Sequence, residues 1–223
     1  MSSPPSPHTL FLSGGTGYIG QRLIALLLQR GHHVRALARD SSENKLPQGC
    51  EVVRGNALDS ASFRHAVSPA DTFVHLVGVS HPNPSKAEQF RTIDLASVHA
   101  SVPAAVAAGV RHFVYVSVAQ PAPVMQAYGQ VRAECEALIR ASGMNATFVR
   151  PWYVLGPGHR WPYLLMPMYW LFEKIPATSA TAKRLGLVTL EQMITALAWA
   201  IENPASGVRV LEVEQIRRVV LAR

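Results

Sequence analysis

From His8 onward, short apolar runs alternate with amphipathic stretches, and this alternation predicts repeated β-α units. Each apolar run is rich in β-branched or aromatic residues, which is typical of a buried strand. Strands that are connected through helices in this way run parallel within one sheet. The six predicted strands are Thr9–Ser13, His33–Ala38, Glu51–Val53, Thr72–Val77, His112–Val116 and Asn145–Val149.

Glycines follow the amphipathic stretches and predict where three helices end. Gly31, Gly109 and Gly143 each stand shortly before a predicted strand. Glycine readily adopts the left-handed conformation that terminates a helix, so we expect helix ends at these positions. A further helix, at about residues 87–108, contains Pro103. We expect a bend there, because proline lacks the backbone N–H that a helix needs.

The pattern changes after Pro151. A stretch rich in proline and aromatic residues extends to Pro176, and it is followed by a polar loop, a helix and a last strand near residues 208–213. We therefore predict a domain at residues 8–150 that is preceded by a flexible tail at residues 1–7 and followed by a small lobe at residues 151–223, packed on the domain.

The last predicted helix has a well-marked start. Thr189 is followed by Gln192, the spacing of a capping box, in which each residue satisfies a backbone N–H of the other. Val188 and Met193 stand at the two positions of a hydrophobic staple. These signals predict that the helix begins directly after Thr189.

The first strand runs directly into a glycine-rich segment, Gly14-Gly15-Thr16-Gly17-Tyr18-Ile19-Gly20, which is followed by a helix from Gln21 to Arg30. Gly14 permits a tight turn, Gly17 lets the backbone approach a pyrophosphate, and Gly20 permits close packing of helix and sheet. The start of the helix offers unpaired N–H groups to an anion. This arrangement predicts a Rossmann-type, doubly wound parallel sheet of the α/β class, with a small C-terminal lobe. A glycine-rich turn without a ligand is the alternative interpretation.

The residues after the second strand indicate which dinucleotide is bound. A domain that binds NAD(H) usually places Asp or Glu there, against the ribose hydroxyls. This sequence has Ala38 and Arg39 instead, and a guanidinium binds the 2′-phosphate of NADP(H) through two parallel hydrogen bonds. We predict a preference for NADP(H), to which Arg35 could contribute. The neighbouring Asp40 leaves NAD(H) open, and an ordinary surface role for Arg39 is the alternative.

The composition limits the class of protein. With 223 residues, 48% of them hydrophobic, the chain suffices for one α/β domain and a modest appendage. Cys50 and Cys135 are far apart and lack zinc-ligand spacing, so neither a disulfide framework nor a metal site is predicted. The histidines, including His32, His33 and His159, show no ligand spacing either. The first residues do not resemble a signal peptide, and we expect a cytoplasmic protein.

Charge and hydropathy restrict the partners further. The longest apolar run, residues 161–172, is interrupted by Pro162 and Pro167 and is shorter than the roughly 20 residues of a membrane-spanning helix. A net charge of +7 suggests an anionic partner. The lysines and arginines are scattered rather than clustered, so a phosphorylated cofactor and solvated surface charge explain them better than nucleic acid does.

Six segments occur in an order typical of one protein family: Gly14 to Gly20, Gly55-Asn56-Ala57-Leu58-Asp59, His75-Leu76-Val77-Gly78, Val116-Ser117, Tyr128-x-x-x-Arg132 and Arg150-Pro151. The chain resembles the atypical or extended short-chain dehydrogenases/reductases, which are NAD-dependent epimerase/dehydratase-like. It is most similar to their NmrA-like NAD(P)H-binding branch, which is related to a complex I accessory subunit. The resemblance covers most of the chain up to Gly158.

The resemblance implies roles for residues outside the glycine loop. Asn56 and Ala57 would lie at the adenine, while Val77 and Gly78 would flank the adenosine ribose. The family usually has Asp where this chain has Asn56. An amide still donates a hydrogen bond to adenine, so binding is expected to survive this departure.

The same resemblance implies catalytic roles for Ser117 and Tyr128. In the family, the tyrosine exchanges a proton with the substrate oxygen, and the serine orients that oxygen. The family's lysine four residues later is replaced by Arg132, which keeps the positive charge but is effectively never deprotonated. The alternatives are a packing role for Tyr128, a hydroxyl that satisfies the backbone for Ser117, and a solvated ion pair of Arg132 with Glu136.

Seven of the chain's seventeen aromatic residues lie between Trp152 and Phe172. By the family resemblance, this segment lies over the substrate, and its rings suit an apolar carbonyl or a quinone-like molecule. The other interpretations are the core of the small lobe and peripheral contact with a membrane or partner protein. The lobe is too short to enclose a nucleotide sugar well, which argues against a sugar epimerase.

The sequence supports two functions. The first is an NADP(H)-dependent oxidoreductase of the short-chain dehydrogenase/reductase type that acts on a small apolar substrate. The second is a non-catalytic NADP(H)-binding regulator or accessory subunit, which the replacement of lysine by Arg132 favours. The sequence does not predict an oligomeric state.

Overall fold

A computed structural model describes residues 6–121, 124–156 and 186–221. Its main feature is a seven-stranded parallel sheet in the order β3-β2-β1-β4-β5-β6-β9, and β7 and β8 form a separate parallel pair. The strands are β1 (Thr9–Ser13), β2 (His33–Ala38), β3 (Glu51–Arg54), β4 (Thr72–His75), β5 (His112–Val116), β6 (Asn145–Val149), β7 (Tyr153–Leu155), β8 (Leu187–Thr189) and β9 (Val208–Leu211).

Helices connect the strands on both faces of the sheet. A π-helical segment, Phe90–Leu95, joins α2 to α3, and short 3₁₀ helices lie at Asp40–Lys45, Ser60–Ser62, Arg64–Ala66 and Pro84–Lys86. The α-helices are α1 (Tyr18–Gln29), α2 (Ala87–Gln89), α3 (Ala96–Ala107), α4 (Gln126–Ala141), α5 (Leu190–Glu202) and α6 (Val213–Arg218). This architecture confirms the predicted Rossmann-type fold.

Most predicted boundaries agree with the structure, and the differences have local causes. The strand predicted at Thr72–Val77 ends at His75, because the chain leaves the sheet after the Leu76 amide donates to the Ser13 carbonyl oxygen at 2.9 Å. The first helix begins at Tyr18 rather than Gln21, since Gly17 is its N-cap. The last strand ends at Leu211 because Glu212 caps α6.

The helix ends also follow the sequence signals. Gly31, Gly109 and Gly143 have φ of 82°, 70° and 74°, so each takes the predicted left-handed conformation. Thr189 and Gln192 form the predicted capping box of α5. Around Pro103, α3 continues to Ala107, and the departure from α-helical geometry lies earlier, in the π-helical segment.

Alternating side chains along the strands supply two hydrophobic cores. Phe11 faces α3 and α4 together with Phe73 and Phe113, whose stacked ring centres are 5.0 Å apart. Leu10 and Leu12 face the opposite core, which contains the apolar sides of α1 and α5. The period of two along a strand thus explains why helices pack on both faces.

Residues after Pro151 contribute to the same sheet. β9 pairs in parallel with β6, and α5 packs on α1. At the end of α1, Arg30 forms an ion pair with the nearly buried Glu202 of α5, and His32 Nε2 lies 3.2 Å from the same carboxylate. The predicted tail lies outside the described residues up to residue 5, as does the aromatic stretch from residue 157 to residue 176.

Candidate dinucleotide-binding cleft and active site

The glycine loop forms a tight connection between β1 and α1. Gly14 has φ of 84°, and a Cβ atom there would lie 2.7 Å from the Leu76 carbonyl carbon, so only glycine fits. The Gly17 amide donates to the Gly14 carbonyl oxygen at 3.1 Å, and α1 then begins. The first amides of a helix have no partner within the helix. The loop therefore combines close backbone approach with an anion-attracting helix start.

Gly20 lies against the loop itself rather than only against the sheet. A Cβ atom at Gly20 would lie 2.7 Å from the Gly15 Cα atom and closer still to the Gly14 carbonyl oxygen. Both neighbours are backbone atoms, which cannot rotate away. Tight packing of α1 on the loop therefore depends on this glycine.

Alanine at Gly20 is expected to lower the free energy of unfolding by about 1–3 kcal/mol, because the added methyl overpacks the loop. The shifted loop should also bind dinucleotide more weakly. Urea unfolding and NADPH titration measure both effects. The matched control is Gly129→Ala in α4, where the added Cβ meets no described atom within 4 Å beyond the neighbouring residues and backbone of its own helix. That helical substitution should stabilise the protein by about 0.5–1 kcal/mol, and equal losses in both variants would contradict the packing argument.

The glycine loop forms one wall of a cleft of about 400 Å³ at the carboxyl ends of β1 to β4. This is the switch point at which doubly wound sheets bind their ligands. The predicted cofactor residues that line the cleft are Gly14, Thr16, Gly17, Arg39, Asn56, Ala57, Val77 and Gly78.

Three predicted cofactor residues do not line this cleft. The Tyr18 hydroxyl lies against Gly156 at the end of β7, and the Tyr18 ring stacks with Arg22. Ile19 packs on the core of the α1 and α5 face, and Gly20 contacts the loop. The glycine motif identified the loop correctly, but its second half points away from the cleft.

Other lining residues escaped the sequence analysis because they belong to no motif. They are contributed by the helices and loops that follow β2 and β4, and include Ser42, Ser80, Lys86 and Gln89. Only the folded sheet brings these segments together, so no local signal could have identified them.

The charged residues among the described lining are both basic. They are Arg39 and Lys86, and Lys86 Nζ donates to the Ser80 carbonyl oxygen at 2.7 Å. Asp40, which weighed against a phosphate site, is highly exposed and lies 3.6 Å from Arg54 Nε, so its charge is partly offset. The described lining is thus suited to an anionic ligand.

Arg35, which the sequence offered as a second phosphate ligand, does not line the cleft. Its guanidinium contacts Glu51 at 2.8 Å and donates to the Ser68 carbonyl oxygen at 2.6 Å. Glu51 begins β3 and Ser68 precedes β4, so these partners lie at the amino ends of the strands, whereas the glycine loop follows the carboxyl end of β1. The suggested contribution of Arg35 is therefore wrong.

The structure brings Tyr128 and Arg132 together near the end of β5. Both lie on α4, and the guanidinium carbon is 5.0 Å from the centre of the Tyr128 ring. Ser117 directly follows β5, is almost fully buried and accepts from Gln120 Nε2 at 3.4 Å. The carbonyl oxygen of the preceding Val116 accepts from Arg132 at 2.8 Å. The three predicted catalytic residues thus lie in one connected region.

Arg132 is buried and pairs with Asp94 rather than with Glu136. Its Nη2 atom lies 3.0 Å from Asp94 Oδ1, and Nη1 donates to the Tyr115 hydroxyl at 3.1 Å. Glu136 instead binds Arg150. The suggested solvated pair with Glu136 is therefore wrong. Burial alone would lower the pKa of Arg132, but Tyr115, Tyr128 and Asp94 more than offset this and hold its pKa well above the usual value.

Burial raises the pKa of the Tyr128 phenol, and the charge of Arg132 opposes this only in part. A phenol with a pKa above its ordinary value of about 10 is protonated at neutral pH. The hydroxyl of Tyr128 is therefore available as a proton donor, whereas a phenolate base is disfavoured.

The fold and the glycine loop at its switch point define a nucleotide-binding protein with a Rossmann-type sheet. Residues 14–160 match the model of the NAD(P)H-binding family, and the chain belongs to this family. It is accordingly an NAD(P)H-binding protein. No helix within the described ranges is long and apolar enough to cross a membrane, and the side chains described there form no candidate metal cluster.

Relatives of known name include reductases and an epimerase. The chain is 26% identical to ceramide reductase of Caulobacter vibrioides (strain NA1000 / CB15N), over 93% of this chain and 64% of that protein. It is 28% identical to 3-diazoavenalumate denitrifying reductase of Streptomyces sp, over 89% and 73% respectively. UDP-glucose 4-epimerase of Vibrio cholerae is 24% identical, over 90% and 69%. The chain thus spans less than two thirds of the ceramide reductase.

Solved structures share the fold at low sequence identity. The Bordetella bronchiseptica enzyme WbmH in complex with NAD+ superposes with a TM-score of 0.69 at 21% identity, over 92% of this chain and 75% of that chain. MoeE5 in complex with UDP-glucose and NAD gives 0.69 at 20% identity, over 93% and 79%. These likenesses support the assignment of the fold.

Proposed function

We propose that this protein is an NADP(H)-dependent oxidoreductase that reduces a small apolar carbonyl or quinone-like substrate. The observation that carries the proposal is the cleft beside the glycine loop, whose described charged residues, Arg39 and Lys86, are both basic. Such a cleft favours a dinucleotide with an additional phosphate over one without it.

The residues around the cleft fit an NADP(H) molecule. Gly14 and Gly17 would admit the diphosphate, and Arg39 would bind the 2′-phosphate. Asn56 and Ala57 would receive the adenine. The Asn56 side-chain oxygen accepts from the Leu58 amide at 3.1 Å, so its NH₂ group would donate to the base. Val77 and Gly78 would flank the ribose.

The nicotinamide ring supplies or accepts the hydride when the cofactor is bound. The protonated Tyr128 would give its proton to the substrate oxygen, which Ser117 would orient. The buried charge of Arg132 would stabilise negative charge that develops beside Tyr128. Because the phenol is protonated at neutral pH, Tyr128 would be in the form that reduction of the substrate requires. The names of two relatives, ceramide reductase and 3-diazoavenalumate denitrifying reductase, fit this direction.

The remaining assignments extend the same proposal. Residues 8–150 would bind the cofactor, and residues 151–223, which include the aromatic stretch to Phe172, would cover an apolar substrate. Within the described residues, Cys50 and Cys135 are free thiols, which suits a reducing compartment, and we propose the cytoplasm. The aromatic residues of this stretch would also suit peripheral contact with a membrane or a partner protein.

A non-catalytic NADP(H)-binding regulator is the second candidate. The observation that favours it is the buried pairing of Arg132 with Asp94, which holds the guanidinium at the sheet. An arginine held in this way would not replace the family's lysine in the proton exchange. A panel of carbonyls and quinones distinguishes the candidates, since the oxidoreductase consumes NADPH with at least one of them. Bound cofactor without turnover, together with a co-purifying partner, would favour the regulator.

Replacing Arg39 with alanine is expected to weaken NADPH binding by about ten- to a hundredfold, the loss of one charge-assisted contact. NADH binding should change little, because NADH lacks the 2′-phosphate. Isothermal titration with both nucleotides measures this difference. The control is Lys45→Ala, a nearby exposed cation outside the described lining of the cleft. Tighter binding of NADH than NADPH by the unaltered protein would contradict the proposed preference, and binding of neither would contradict the cofactor proposal.

A further inference from the structure

The π-helical segment Phe90–Leu95 lies between two α-helical segments and packs against α4. A π-helical turn is rare and is found most often at functional sites. Phe90 and Asp94 stand four residues apart and so lie on the same face of the segment. Both are buried, although Asp94 is charged.

Both buried side chains of this segment meet the predicted catalytic pair. The Phe90 ring lies 4.9 Å from the Tyr128 ring, centre to centre, and Asp94 Oδ1 lies 3.0 Å from Arg132 Nη2. The carboxylate of Asp94 is fully buried and the guanidinium of Arg132 nearly so. One segment therefore supports both Tyr128 and Arg132.

The same Asp94 oxygen also reaches the wall of the cleft. Oδ1 accepts from the Val79 amide at 2.9 Å as well as from Arg132. Arg132 in turn donates to the Val116 carbonyl oxygen at the end of β5. A continuous chain of hydrogen bonds thus joins the segment at residues 77–80 to the region of Ser117.

Gly78 leaves room for this arrangement. A Cβ atom at Gly78 would lie 2.7 Å from Asp94 Oδ1 and closer still to Arg132 Nη2. The ion pair therefore lies directly beneath the backbone that the cofactor's ribose would contact. A shift of either side chain would move this backbone, because the interior has no space to absorb it.

We propose that Asp94 is a positioning residue of the cofactor cleft, which holds Arg132 and the Val79 amide together and so fixes the segment at residues 77–80. This inference rests on the proposed function, since that segment is the proposed ribose wall. Arg132 then has a second role. In addition to placing its charge beside Tyr128, its guanidinium links the cleft to β5 through hydrogen bonds to Asp94 and to the Val116 carbonyl oxygen.

The test compares Asp94→Ala with Glu134→Gln. Glu134 on α4 forms an exposed ion pair at 3.3 Å with Arg91 of the π-helical segment, so the control breaks a surface contact between the same two elements. Asp94→Ala should weaken NADPH and NADH binding by the same factor, about tenfold, since both nucleotides share the adenosine ribose. Amide hydrogen exchange at Val79 should also accelerate. The control should leave both measurements unchanged.

Asp94→Ala leaves the buried charge of Arg132 unpaired and can prevent folding. The double variant Asp94→Ala/Arg132→Met removes both charges and should fold with the same loss of affinity for both nucleotides. Unchanged affinities in either folded variant, or a loss confined to NADPH, would overturn the positioning role alone. Failure of the unaltered protein to bind either nucleotide would overturn the proposed function and this inference together.

Discussion

Phenylalanine in place of Tyr128 is expected to lower the rate of substrate reduction by about 10²- to 10⁴-fold, the range for loss of a general acid. The substitution removes the proton donor and keeps the ring, which packs on Phe90 and lies beside the guanidinium of Arg132. NADPH affinity and melting temperature should therefore stay close to those of the unaltered protein. The measurement is the loss of NADPH absorbance with a substrate found in the carbonyl and quinone panel.

The pH profile of the unaltered protein gives an independent check on Tyr128. Burial raises the pKa of this phenol, so the proton needed for reduction is fully present at neutral pH and is lost only as pH rises through that higher pKa. The titration of Tyr128 should therefore leave the rate of substrate reduction constant from pH 6 to about 9. Full activity of Tyr128→Phe would assign the proton transfer to another group, and a rate that falls between pH 7 and 8 would contradict the raised pKa.

The strands of the main sheet could be predicted because their signals are local. β2 and β6 have the predicted boundaries, since each is a largely apolar run after a glycine that ends a helix. The pair of β7 and β8 could not be predicted in this way. Tyr153–Leu155 and Leu187–Thr189 are too short to show a period, and each acquires its conformation from a partner far away in the chain.

The candidate site shows the same division between local and tertiary signals. The glycine loop could be recognised because the spacing of its glycines reflects the backbone conformation directly, and Arg39 because of its position after the second strand. Asp94 gave no such signal, because a carboxylate on a helix ordinarily faces solvent. Its burial becomes understandable only through Arg132, which is 38 residues away. Asp94 lies in the π-helical segment, a feature that the helical sequence pattern does not reveal.

Acidification from pH 7 to pH 5 is expected to destabilise the fold through two buried histidines. His75 is fully buried between Ser13 Oγ at 2.8 Å and Ser97 Oγ at 3.1 Å. Burial, with a contribution from the charge of Arg132, lowers the pKa of His75 to about 3. Burial likewise lowers the pKa of His112 to about 4, and the nearby charge of Arg209 adds to the effect. Both imidazoles are therefore neutral in the folded protein at pH 5.

The unfolded chain binds protons on these histidines below a pKa of about 6.5, whereas the folded chain does not, so acid favours unfolding. The contribution of the two histidines to the free energy of unfolding is fully present above about pH 6.5, and it decreases as the pH falls toward the pKa values of the folded protein. The loss at pH 5 is about 2 kcal/mol for each histidine. The measurement is the free energy of unfolding in urea at pH 7 and at pH 5. In His75→Gln, its decrease between the two pH values should be smaller by about 2 kcal/mol than in the unaltered protein. In the control His99→Gln, which changes an exposed histidine, the decrease should be the same as in the unaltered protein. An unchanged loss in His75→Gln would mean that His75 can take up a proton within the folded core.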